Sequence, residues 1–300
     1  MADLISVREL IQRTEKQFSN TDLFYGHGTD NALDEAFYLV MTAAGLAFDC
    51  DEVELDKALE SDVIKQIEIL IDKRINERIP VAYLVNEAWF AGYPFYVNEH
   101  VLIPRSPFAE LITADFMPWV ERQNINSVLD IGTGSACIAI ACAHQFPDAT
   151  VDAIDIDVNA IQVAIKNVKR HKLEDRVRLI QSDLFEKLTG KQYDLIVSNP
   201  PYVGHSEMQS LPAEYRHEPG HALEAANNGL AIVERLLLQS AQHLNDGGAL
   251  IVEVGNSMQA VNDYFPNIPF TWLEFEQGGE GVFLIYKEEL KSSNISANQN

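Results

Sequence analysis

The sequence predicts an α/β protein: a seven-stranded, mainly parallel sheet with helices on both faces, preceded by a small all-helical unit and a β-hairpin. Three observations carry this reading. Helical periodicity dominates residues 1 to about 78. After Asn126, five near-continuous apolar runs alternate with helix-length segments, the pattern of parallel strands buried on both faces. Two further β-rich runs follow near the end of the chain and supply an antiparallel edge pair.

Each element follows from local pattern. Leu4, Val7, Ile11 and Phe18 recur at helical spacing, as do Leu33, Phe37, Val40, Met41 and Ala44, with Asp30 and Asn31 placed to cap the second helix. A third stripe, Val63, Ile67, Leu70 and Ile71, leads to Arg78-Ile79-Pro80, where proline stops a helix. Trp89 to Val97 contains two aromatic, β-prone stretches about Gly92-Tyr93-Pro94, which predicts a hairpin turning there. Strands are predicted at 128–131, 151–154, 177–180, 195–197, 249–254, 270–275 and 281–286. The resulting division is a helical domain at 1–85, a hairpin linker at 86–108, an α/β domain at 109–289 and a polar tail at 290–300.

Composition removes several function classes. Hydrophobic residues make up 47% of the 300, charged residues 22%, and no apolar run approaches a membrane span. The amino terminus lacks the basic flank and apolar stretch of a secretory signal, so a cytoplasmic protein is expected. Cys50, Cys137 and Cys142 are odd in number and lack metal-ligand spacing, which predicts reduced thiols and no metal site. The net charge of −23 opposes a phosphate backbone. The first hundred residues hold 19 acidic and 8 basic side chains, a net −11, whereas residues 151–200 carry eight of each. That asymmetry suits a basic protein partner.

The first strand of the α/β region leads into Asp130-Ile131-Gly132-Thr133-Gly134-Ser135-Ala136-Cys137 and then an apolar helix. A glycine loop at a helix N-terminus lets a nucleotide-type ligand approach the backbone. The dinucleotide fingerprint, which serves a pyrophosphate that needs the loop's N–H groups, would require a glycine where Cys137 stands, and that glycine is absent. An acidic residue two before Gly-x-Gly suits a ligand ending in an ammonium group, which selects S-adenosyl-L-methionine. Asp155, 23 residues after Gly132 at the next strand end, is placed to accept from ribose hydroxyls. Asp183, after the third strand, is placed to accept from the adenine amino group. The cofactor set is therefore Asp130, Gly132, Thr133, Gly134, Asp155 and Asp183, with Asn199 at its edge.

The fourth strand runs into Asn199-Pro200-Pro201-Tyr202. Asn199 offers a side-chain carbonyl and Pro200 a backbone carbonyl, so together they present two acceptors to one planar amino group, with Tyr202 lying against its plane. Amide nitrogen is a poor nucleophile because its lone pair is delocalised. Two accepted N–H bonds raise its electron density and aim it at an electrophilic methyl. Catalysis is assigned to Asn199, Pro200 and Tyr202, and His205 is read as a solvated loop residue.

The chain resembles the N5-glutamine methyltransferases that modify protein glutamines on a Rossmann-like, S-adenosylmethionine-dependent fold. The resemblance rests on Val101-Leu-Ile-Pro-Arg-Ser-Pro107, Asp130-Ile-Gly-Thr-Gly-Ser135, Ser198-Asn-Pro-Pro-Tyr-Val203 and Glu218-Pro219 leading to Ala222-Leu223. It implies that 109–289 is the methyltransferase domain and that 1–85 recognises substrate. Ser106, Pro107 and Phe108 resemble the branch acting on large-subunit ribosomal protein three, since the release-factor branch has Arg-Pro-Glu there. Arg105 is placed by the resemblance at the cofactor edge of the site. Ala136 departs from the glycine found in many relatives. Rival readings are a release-factor glutamine methyltransferase, a nucleic-acid adenine-N6 methyltransferase and a non-catalytic cofactor-binding module. The expected partner is the basic ribosomal protein, with no direct nucleic-acid target and no membrane.

Overall fold

Helix caps and apolar stripes organise the amino-terminal part of the computed structural model, which describes residues 5–227, 229–276 and 278–293. The first compact unit comprises, among the described residues, 5–88, 97–99 and 212–217. Its helices are α1 (Val7–Ser19), α2 (Ala32–Ala43), α3 (Glu52–Leu55), α4 (Ser61–Asp72) and α5 (Val81–Val85). Ser6 and Glu9 form a reciprocal capping box on α1, and Asn31 caps α2 through the Asp34 N–H. Each such cap contributes about 1 kcal/mol. Leu10, Phe18, Leu39, Met41 and Ile67 are fully buried in the shared core.

Two features of this unit depart from the periodicity reading. The helix after α4 widens into a π-turn over Lys73–Glu77 before Arg78 ends it at φ +61°, and a further short helix, α5, starts after Pro80. The turn brings in Arg74, 1% exposed, whose guanidinium bonds Glu35 at 3.1 Å, Glu214 at 3.0 Å and the Phe24 carbonyl at 2.8 Å. Glu214 lies 140 residues further along, so 212–217 join a unit that sequence bounds place at 1–85. Removing one partner from so buried a cluster typically costs about 3–5 kcal/mol.

Strands β1 (Ala88–Phe90) and β2 (Tyr93–Phe95) form the predicted hairpin, but its turn is at Ala91-Gly92, φ +48° and +80°, rather than Gly92-Tyr93-Pro94. Two consecutive positive φ values are what a tight two-residue hairpin demands, and proline cannot adopt them.

The second unit comprises, among the described residues, 89–96, 100–211 and those from 218 to 293. After the hairpin it continues with α6 (Phe108–Thr113), then alternates β3 (Ser127–Ile131), α7 (Cys137–Gln145), β4 (Thr150–Asp155), α8 (Val158–Arg170), β5 (Val177–Gln181) and β6 (Tyr193–Ser198). Short helices α9 (His205–Met208) and α10 (Gly220–Leu223) precede α11 (Ala231–His243), β7 (Leu244–Glu253), α12 (Met258–Tyr264), β8 (Thr271–Leu273), β9 (Val282–Tyr286) and α13 (Lys287–Ser292). The sheet order is β5-β4-β3-β6-β7-β9-β8, parallel except for the antiparallel pairs of β9 with β7 and β8. Alternate residues serve opposite layers: Val128, Val151, Leu195 and Ile251 pack on one face, Leu129, Ile154, Ile196 and Leu250 on the other. That two-sided burial is why the strands read as continuous apolar runs. The polar tail predicted at 290–300 is helical through Ser292, and residues 294–300 lie outside the described residues.

Among the described residues no helix is long and apolar enough to cross a membrane, and no cluster of three metal-ligating side chains occurs. The cysteines are free thiols.

Candidate active site

Sheet register builds the site. Ile131 of β3 pairs with Ser198 of β6, and the Ser198 hydroxyl donates to the Ile131 carbonyl at 2.8 Å. The next residue on each strand is therefore Gly132 on one side and Asn199 on the other. Ile131 also pairs with Ile154 of β4, whose carbonyl accepts the Gly132 and Thr133 N–H groups at 2.9 Å each. Asp155 pairs with Gln181, which brings Asp155 and Asp183 to the same edge of the sheet. These carboxyl ends open onto a cavity of about 370 Å³, within the size range of small-molecule sites. Gly132, Thr133, Gly134, Asp155, Asp183, Asn199, Pro200 and Arg105 line it.

The loop conformation explains its residues. Gly132 and Gly134 hold φ +73° and +53°, left-handed values that glycine adopts without penalty. Ala136 shares that region at φ +65°, which costs a residue with a side chain about 1–2 kcal/mol. Its methyl group is fully buried, which returns about 0.8 kcal/mol, and glycine would lose about 0.5–1 kcal/mol of chain entropy. These effects nearly cancel, so Ala136→Gly is expected to shift the urea midpoint by an amount equivalent to less than about 1 kcal/mol. A loss above about 2 kcal/mol would show the strain to be misjudged. Asn167 on α8, fully buried, donates to the Ser135 carbonyl at 2.9 Å and steadies the loop from below.

Asp130 stands beneath the loop, 1% exposed, and unlike Asp155 and Asp183 is not among the cavity-lining residues. Its Oδ2 accepts from the Thr133 hydroxyl at 2.5 Å and the Ala139 N–H at 3.1 Å. Its Oδ1 is buried with no hydrogen-bond partner. Burial raises the carboxyl to about 7, partly offset by the Thr133 and Ala139 bonds. A buried carboxylate oxygen without a partner beside a glycine loop fits a cationic ligand group. Asp155 is also raised by burial; its oxygens accept the Gly134 and Asp157 N–H groups at 2.9 Å each. A carboxylate has about four acceptor positions, so two remain for hydroxyl donors.

Other members of the site were not evident from local sequence. One Asp183 oxygen is ion-paired to Arg235 of α11 at 2.9 Å, so the aspartate offers only its remaining acceptor positions to an adenine edge. Arg235 and His221 also line the cavity, and His221 lies 3.2 Å from Asp157. Glu218 gives Arg105 a bidentate partner at 2.6 and 2.7 Å and accepts the Ile103 N–H at 3.0 Å. The Ile-Pro-Arg segment and the Glu218-Pro219 pair are thus two halves of one buried fastening. Tyr202 does not stand among the cavity-lining residues; its hydroxyl donates to Glu253 at 3.1 Å. His205 is exposed and pairs with Glu224 at 2.7 Å.

A seven-stranded sheet of this order, with a glycine loop and acidic strand ends around one cavity, defines an S-adenosylmethionine-dependent methyltransferase. The family model described as "Methyltransferase small domain" matches residues 113–215. The chain is 43% identical over 289 residues to the ribosomal protein uL3 glutamine methyltransferase of Francisella tularensis, covering 96% of this chain and 92% of that protein. It is equally 43% identical to the protein of that name from Neisseria meningitidis, over 96% of this chain and 95% of the relative. The chain belongs to the ribosomal protein uL3 glutamine methyltransferase family. Among solved structures, a methyltransferase from Pyrococcus furiosus matches with a TM-score of 0.47 and 17% identity, over 76% of this chain and 99% of that one.

Proposed function

We propose that this protein methylates the side-chain amide nitrogen of a glutamine in ribosomal protein uL3. The observation that carries the chemistry is the Ile131–Ser198 register, which sets the glycine loop and the Asn199 tetrapeptide side by side at one cavity. The names of the two relatives supply the substrate.

Asp130 and Asp155, with the backbone of Gly132, Thr133 and Gly134, would hold S-adenosyl-L-methionine: the unpartnered Asp130 oxygen would take the ammonium group and Asp155 the ribose hydroxyls. When bound, the cofactor would supply an electrophilic sulfonium methyl, whose C–S bond breaks as the nitrogen takes it, leaving a neutral thioether. Asn199 Oδ1 and the Pro200 carbonyl accept the two N–H bonds of the glutamine amide, and Tyr202, set back from the cavity lining, anchors the tetrapeptide that presents them. Polarising both N–H bonds raises density on nitrogen and favours a pyramidal geometry at the moment of attack. The methylated nitrogen then releases one proton to water, so the site requires no strong base, and His205, tied to the exposed Glu224, serves none. Arg105, held by Glu218, borders the cofactor end.

Tritiated cofactor incubated with uL3, a release factor and DNA tests the assignment. Label in uL3 that maps to a glutamine is the expected result, and label confined to the release factor or DNA would overturn it. The helical unit is the docking surface for this basic substrate. Changing the exposed Asp22, Asp30, Asp49 and Glu60 together to their amides should raise the KM for uL3 several-fold at low salt, with cofactor affinity unchanged. The difference should vanish near 1 M salt, where the Debye length falls to about 3 Å. A KM that stays constant would return the acidity to a role in solubility.

A further inference from the structure

Glu253 is the last residue of β7 and is 6% exposed. Its two oxygens reach two different chain segments. Oε1 accepts from the Tyr202 hydroxyl at 3.1 Å, and Oε2 accepts from the Ser106 hydroxyl. Ser106 Oγ in turn accepts the Phe108 N–H at 3.1 Å at the start of α6, and Ser106 lines the cavity. Tyr202 is held at further points. The Ser257 hydroxyl donates to its carbonyl at 3.0 Å. A Cβ on Gly255 would stand 2.7 Å from its ring Cε2, so glycine is required where the backbone closes against the ring.

We infer that Glu253 is a positioning residue for methyl transfer, setting the plane of the Tyr202 ring and tying it to the Ser106 segment at the cavity wall. The inference rests on the proposed role of Tyr202. Glu253 does not line the cavity; it acts through the Tyr202 hydroxyl, which fixes the end of the tetrapeptide whose Asn199 and Pro200 do line it. A single carboxyl thereby links the tetrapeptide to the 103–108 segment, and Ser106 is one of the residues by which the sequence resembles the uL3 branch. Misplacement of a reacting group by about 1 Å can cost on the order of a hundredfold in rate. The effect therefore belongs in kcat rather than in binding.

The test uses the full-length protein with uL3, reading kcat, the KM for uL3 and cofactor affinity separately. Glu253→Ala should lower kcat about 10- to 100-fold, with KM and cofactor affinity within about threefold. Glu253→Gln should retain activity within about fivefold, because the carboxamide accepts from one hydroxyl and donates to the other. Tyr202→Phe should lose kcat comparably to Glu253→Ala, and the double variant should lose little more, since both remove the same contact. Multiplicative losses, a loss confined to cofactor affinity, or an unchanged kcat in Tyr202→Phe would each overturn the inference. Tyr202→Phe removes one oxygen atom and keeps the ring, so it decides the matter even if Glu253→Ala does not fold. If wild-type protein leaves uL3 unlabelled, the functional reading fails. If wild type labels uL3 and these variants match it, the inference fails alone.

Discussion

Asn199→Ala is expected to slow methylation of uL3 by at least about a hundredfold, with affinity for S-adenosylmethionine within about twofold of wild type. The magnitude follows from what is removed. One preorganised hydrogen-bonding group acting on charge that develops in the transition state is worth about 2.7–4 kcal/mol. The Asn199 side chain is assigned that task because Ser198, the residue before it, is locked to Ile131 by strand pairing and by its own hydroxyl. Removing the amide leaves the sheet intact, since the strand ends at Ser198, and leaves Asp130 and Asp155 in place. Single-turnover rates at saturating cofactor, together with direct titration of cofactor, separate the two effects. Unchanged turnover would refute the role assigned to Asn199.

Asp130→Asn is expected to weaken cofactor binding by about 10- to 100-fold, the scale of a hydrogen bond to a charged group, about 1.5–3 kcal/mol. The pH dependence is the more specific signature. Burial holds the Asp130 carboxyl at about 7, and an ammonium ligand requires the ionised form. Affinity in wild type should therefore fall about tenfold for each unit below the carboxyl's value, with one proton released on binding there, and fall again at higher pH where the ligand's amino group, ordinarily near about 8, loses its proton. In the asparagine variant the fall at low pH disappears. The sign for stability is opposite. A carboxyl raised above its unfolded value of about 3.9 penalises the folded state as it ionises, so without cofactor its contribution declines from about pH 4 up to about 7. Asp130→Asn should thus melt no lower than wild type near pH 7.5 without cofactor. A wild-type cofactor affinity that does not fall below the carboxyl's value would show that Asp130 does not face the ammonium group.

Much of this protein is legible along the chain because the relevant signals are local. The strands of the α/β unit show as apolar runs since both sheet faces are covered, and an apolar run needs no knowledge of its neighbours. Gly132 and Gly134 announce the loop because left-handed backbone excludes most side chains. The tetrapeptide stands out because two prolines after a strand are rare and stiff. Asp130, Asp155 and Asp183 could be named as a group because strand ends of a parallel sheet converge by construction.

The remaining features depend on pairs of residues far apart in sequence, and no local pattern encodes a partner. Arg74 reads as one more cation in a helix until the π-turn buries it against Glu35 and a glutamate 140 residues away. Arg235, mid-helix in α11, gives no sign that it takes one oxygen of Asp183. Glu218 looks like a loop residue, yet its carboxylate fastens Arg105 and the Ile103 N–H. Sequence by itself determined the fold class, the family resemblance and the strand-end acids, each written in short-range periodicity or backbone constraint. Only the tertiary structure decided which charges are spent on one another, which oxygen of Asp130 stays unpartnered and which residues hold Tyr202. Those depend on desolvation and on hydrogen bonds between distant segments, and neither exists until the chain has folded.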